Sequence, residues 1–223
     1  MYKLSIFYKK GVKLYRPTEE EIKRRQEEFR KIKLEELTKV VEEILKIPHK
    51  KRADGKYDIY GDVYLDNMYL TSLLELPIRF GKVYGIFSCY NNQLKDLRGA
   101  PEYVGKSFWC GHNELTSLEG APIYVNGTFL CSDNHLRDLK GAPAYVGGHF
   151  DCSYNKLISL EGVPKSISGV FRCNNNQLRD LKEAPEYVGG DFHIQNNRKK
   201  FTEEEIRKVV NVKGDVYVGD IYV

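Results

Sequence analysis

The sequence has no long uncharged apolar run. A membrane-spanning helix needs about 20 consecutive apolar residues, and a secretory leader needs an apolar centre, so neither is expected. There is no Cys-x-x-Cys pair, and His112, His135 and His149 fall at unrelated spacings, so no tetrahedral metal cage is spelled out. No glycine-rich phosphate loop is present, and no serine or cysteine stands beside a base as a nucleophile. Tryptophan occurs once, at Trp109. These absences point away from an enzyme, so no catalytic residue, metal or cofactor is expected. They favour a soluble chain in a reducing, cytoplasmic setting.

Charge is close to balanced but unevenly placed. Of the net +4, residues 1–56 carry +7 (17 basic against 10 acidic), and the remainder carries −3. The basic residues of the leading segment, Lys23, Arg24, Arg25, Arg30, Lys31 and Lys33, are interleaved with Glu19–Glu21, Glu27, Glu28, Glu35 and Glu36. Such a mixture reads as a solvated helix face with i,i+4 pairs rather than a nucleic-acid surface.

What the chain has in abundance is one phrase repeated. Phe87, Phe108, Phe129, Phe150, Phe171 and Phe192 recur every 21 positions, each opening a coil close to F-x-C-x-x-N-x-L-x-x-L-x-x-A-P-x-Y-V-G. A weaker copy begins at Val63. A fixed short period means a solenoid, in which each coil buries its apolar residues against its neighbours. Phe-x-Cys is a short strand with both residues inward. This makes Cys89, Cys110, Cys131, Cys152 and Cys173 a column of small buried thiols. The asparagines from Asn92 to Asn197 follow at a sharp turn, where a side-chain amide can satisfy backbone groups left unpaired. Two leucines per coil fill the interior. Ala-Pro or Val-Pro then sets an extended return, and 21 residues leave no room for a helix there.

The ends read as caps. Residues 1–16 suggest a hairpin about Lys9-Lys10-Gly11. Thr18 with Glu21 is a capping box opening one long helix, or two shorter ones, to about Ile47, whose apolar stripe should cover the first coil. His49–Gly55 reads as a polar connector. Thr202 with Glu205 opens a second short helix, and residues 214–223, which echo 58–65, should cover or extend the last sheet edge. The expected divisions are therefore an N-terminal cap over 1–56, a solenoid over 57–197 and a C-terminal cap over 198–223.

N-x-L-x-x-L after alternating buried positions resembles the leucine-rich repeat, with Phe and Cys standing where that family usually has Leu. The fuller wording G-x-F-x-C-x-x-N-x-L and G-A-P-x-Y-V-G is similar to a 21-residue class found in uncharacterised proteins of tailed bacteriophages. The resemblance covers about 57–197; Met68 departs from it in the first coil, and Lys199 and Thr202 in the last. It implies an α/β repeat fold: a right-handed solenoid with a parallel concave sheet, a helical N-terminal cap and a helix-plus-strand C-terminal cap. By analogy it also implies macromolecular binding, with a host or phage protein as partner, no membrane, and host cytoplasm as the setting.

Two rows remain free of the core. The residue after each Phe runs Ser88, Trp109, Leu130, Asp151, Arg172, His193, and the residue two further on runs Tyr90, Gly111, Ser132, Ser153, Asn174, Gln195. Trp, Tyr and Arg dominate binding hot spots. The predicted partner site is therefore Tyr90, Trp109, Leu130, Asp151, Arg172 and His193, against the simpler reading that Trp109 only packs on Tyr90, Leu130 or a cap. A protein-binding module is the expected function. A structural part of a virion and a nucleic-acid-associated protein acting through residues 1–56 are the alternatives.

Overall fold

The computed structural model describes residues 17–219. The expected hairpin at 1–16 and the last four residues of the expected C-terminal strand lie outside them.

The chain opens with a single helix, α1 (Glu19–Ile44), of 26 residues. Thr18 Oγ1 accepts from the Glu21 N–H at 3.2 Å, and the Glu21 carboxylate accepts from the Thr18 N–H at 2.8 Å. Three glutamates in the first turn suit the positive end of the helix. Only its last turns cap the solenoid: Leu37, Val41 and Ile44 are buried, whereas Phe29 is 65% exposed and Ile22, Ile32 and Leu34 are also exposed. Lys33 marks the divide, its ammonium 2.6 Å from the Glu75 carboxylate of the first coil. The apolar stripe is thus longer than the surface it covers among the described residues.

The expected connector is a strand. His49–Lys51 pairs antiparallel with Tyr57–Ile59, turning through Gly55 at φ +83°. Arg52 braces the hairpin internally through Asp58 at 2.8 Å, and Arg52 and Lys56 fasten it to a later coil through Glu102, at 3.2 and 2.6 Å. An outermost strand rich in exposed lysine also resists pairing with other chains.

From there the chain winds through two parallel sheets. One contains the Phe–Cys strands, from Val63–Tyr64 through Phe87–Ser88 and its successors to Val216–Tyr217, eight in all. The other contains nine strands among the described residues, ending at Asn211–Val212, and four of them are the Tyr-Val pair of the return. The sequence suggested one sheet and an extended return. The return is itself a strand, because Val104, Val125, Val146, Ile167 and Val188 point inward, fully buried, and the backbone around them bonds coil to coil.

The interior is a set of columns. The six Phe rings stack with centroids 5.1–5.9 Å apart. The cysteines are reduced and fully buried, and burial pushes their thiols far above the ordinary range. Each Asn staples two coils. Asn134 Nδ2 donates to the carbonyls of Cys110, Cys131 and Ser132, each at 3.1 Å, while its Oδ1 accepts from the Leu115 N–H at 2.9 Å. The preceding slot (Asn91, His112, Asp133, Tyr154, Asn175, Asn196) takes φ of 50–54°, the sharp turn inferred from the sequence.

Arg98, Glu119, Lys140, Glu161 and Lys182 alternate in sign along the rim, one to a coil. Asp96, Ser117, Asp138, Ser159 and Asp180 each accept from the N–H two residues on. Lys140 reaches Glu161 in the next coil at 2.9 Å, but Arg98 turns to Asp96 in its own coil at 2.8 Å.

The sheets continue past residue 197. Helix α2 (Glu203–Val209), opened by a Thr202–Glu205 capping box, supplies buried Ile206 where the repeat has Leu, followed by Val210 just beyond its end. Two more strands then extend both sheets.

Candidate binding face of the Phe–Cys sheet

Two-residue strands in strict register place the predicted row on one line. Ser88 pairs with Trp109, Trp109 with Leu130, Leu130 with Asp151, Asp151 with Arg172, and Arg172 with His193. All but Ser88, which is fully buried, are half-buried. Parallel neighbours lie about 4.8 Å apart, so the row is a narrow strip of single side chains.

Its two ends differ in chemistry. At the first end, Ser88 hydrogen-bonds Asp66, and Tyr90 meets the His112 ring edge-on at 4.9 Å. Burial, then the charges of Asp133 and Asp66, raise the Tyr90 phenol above its ordinary value. Leu130 folds over Gly111: a Cβ there would lie 2.5 Å from Leu130 Cδ2 and 3.2 Å from Tyr90 Cε2. Gly111 is the slot that lets these two side chains close on one another. Trp109 stands beside them, and its indole has no hydrogen bond and no ring contact among the described residues.

At the other end, Asp151 Oδ1 accepts from the Ser153 N–H at 3.0 Å and from the Ser153 hydroxyl at 2.6 Å. Among the described residues, Arg172 makes no hydrogen bond or ion pair through its guanidinium, although Asp151 is the adjacent rung. His193 stacks on Tyr217, centroids 4.3 Å apart and planes 8° from parallel. Burial first, and then the Arg172 charge, hold the His193 imidazole below its ordinary pKa. Asn174 and Gln195 lie buried in the second row, and Gln195 Oε1 has no hydrogen-bond donor. No hydrogen bond joins Asp151, Arg172 and His193 to one another, and among the described residues no cluster of three metal-ligating side chains occurs.

No family model matches the sequence, and no curated protein or solved structure matches it either.

The row therefore brings together five of the six predicted residues, Trp109 to His193, and Tyr90 flanks it. Sequence reasoning missed Tyr217, which extends the row past His193; the signal was the echo between residues 58–65 and 214–223, which aligns Tyr217 with Tyr64. It also missed the tyrosines of the second sheet, such as Tyr124 and Tyr145, with ring centroids 6.4 Å apart. Their signal was the constant Tyr of A-P-x-Y-V-G. Among the described residues, no helix is long and apolar enough to cross a membrane.

Proposed function

We propose that the chain is a non-enzymatic protein-binding module that engages its partner through the outer row of the Phe–Cys sheet. One observation carries this reading. The inward positions repeat almost without change, while the outer row runs from Trp through Leu, Asp and Arg to His, and neither the Trp109 nor the Arg172 side chain makes a hydrogen bond among the described residues. Side chains not needed to hold an array together are free to read another surface.

The finer reading is a leucine-rich-repeat solenoid, with this sheet on its concave side. The N-x-L-x-x-L spacing supports it. The winding is right-handed, as is the rule for parallel strands joined by a crossover. The phage-like repeat wording supports a phage-encoded chain acting on a host or phage protein in the host cytoplasm. Affinity capture from bacterial lysate with mass spectrometry tests the site. A partner held by the wild type and lost by Trp109→Ala or Arg172→Ala supports it; a full set of interactions surviving in both variants contradicts it.

A further inference from the structure

We propose that the outer row reads a single extended peptide bearing an apolar side chain, a basic or neutral polar one two residues later, and a carboxylate two residues after that. This rests on the reading of the row as the binding face and specifies what binds there.

The argument begins with shape. Each rung is the outward residue of a strand two residues long, so the strip is too narrow for a globular surface to lie flat on but wide enough for one chain. Spacing follows. Rungs are about 4.8 Å apart, and an extended peptide presents a side chain to the same face about every 6.7 Å. An apolar residue seated between Trp109 and Leu130 lies about 2.4 Å along the row from Trp109, half the rung spacing. The next inward-facing side chain then falls at about 9 Å, close to Asp151 at about 9.6 Å, and the one after at about 16 Å, within about 2 Å of Arg172. The two periods therefore bring one side chain between Trp109 and Leu130 and the next two close to Asp151 and Arg172.

Chemistry assigns each rung. Trp109 offers a half-exposed indole next to Leu130, an apolar seat. Asp151 has one carboxylate oxygen committed to Ser153, and the other makes no hydrogen bond among the described residues, which favours a donor or a cation. Arg172 is the decisive group: a half-buried guanidinium with five N–H donors and none used within the described protein. A carboxylate takes two of those donors at once, in the strongest hydrogen-bonded geometry available to the side chain. His193, kept neutral by burial and by Arg172, adds no second charge.

A peptide array and one titration test this on the full chain. The array varies the second, fourth and sixth positions of a seven-residue extended peptide, with Ac-ALSKSDA-NH2 as reference. Titrations follow the emission of Trp109, the only tryptophan, so the signal arises in the site itself. The reference peptide is expected to perturb that emission. Changing its Asp to Lys should weaken binding about tenfold or more, the worth of one charge-assisted pair. Arg172→Glu should reverse the preference, binding the Lys peptide better than the Asp one.

If peptides bind and depend on Leu130 and Trp109, but show no preference at the sixth position or no reversal with Arg172→Glu, the carboxylate subsite is wrong and the binding face stands. If no member of the array binds, the peptide proposal is wrong, and the lysate experiment still judges the face independently. Circular dichroism of Arg172→Glu identifies any loss of fold.

Discussion

Phe129 and Leu130 are neighbours on one strand and belong to different worlds. Phe129 is fully buried in a column of stacked rings that repeats from coil to coil. Leu130 faces out, in a row where each coil carries a different residue. The inward side is constrained because every coil must match the one above and below; a misfit there damages two interfaces at once. The outward side has no such partner. Repetition measures how much of the chain is spent on stacking, and departure from repetition marks what remains available for recognition.

The sharpest break in this comparison comes from the inward side. Asn134→Ala removes an amide that serves two coils, leaves the buried Leu115 N–H without a partner, and takes one of two hydrogen bonds from each of the carbonyls of Cys110, Cys131 and Ser132. Destabilisation by about 3 kcal/mol is expected, read as a lower urea midpoint. A loss below about 1 kcal/mol would mean that water replaces the amide and that the column is not what joins the coils.

A second test uses the one coil that breaks the rule at a turn. Gly99, Gly120, Gly141 and Gly162 take φ of +86 to +100°, but the equivalent slot in the next coil is Glu183, held at φ 59°. Glu183→Gly should relieve that strain and stabilise the chain by about 1 kcal/mol, visible as a higher thermal midpoint. No change would show that glycine's greater freedom in the unfolded chain cancels the gain.

The smallest effect concerns coupling along the outer row. Arg172 helps to hold the His193 imidazole below its ordinary value. Between the ordinary value of about 6.5 and the folded one, the unfolded chain binds more protons, so His193's contribution to stability is complete above that ordinary value and is lost as pH falls toward the folded value. Arg172→Ala should raise the His193 pKa toward normal, read by NMR titration, and narrow that window. An unchanged titration would mean that burial alone sets it.

Much of this was present in the sequence. The six Phe, the Cys column, the Asn turns and both capping boxes appear where the period places them, because residues meeting their own copies one coil away are governed by spacing alone. The second sheet was missed because Tyr-Val is only two residues long, and its strand character comes from pairing with other returns rather than from local pattern. The hairpin at 49–59 was missed for the same reason: its charged residues pair through backbone, and their side chains give no alternation. The row itself could be read as a line, but its unequal partnering could not. That Asp151 turns to Ser153 and leaves Arg172 free depends on side-chain geometry that no spacing records.

The central claim is that the outer row is not needed for the stack, and a double variant, Trp109→Thr with Arg172→Thr, tests it most directly. Neither side chain makes a hydrogen bond among the described residues, so the free energy of urea unfolding should stay within about 1 kcal/mol of wild type, as for ordinary surface changes at separated sites. A loss of several kcal/mol, comparable to that of Asn134→Ala, would place the row among the residues that hold the coils together and contradict the account.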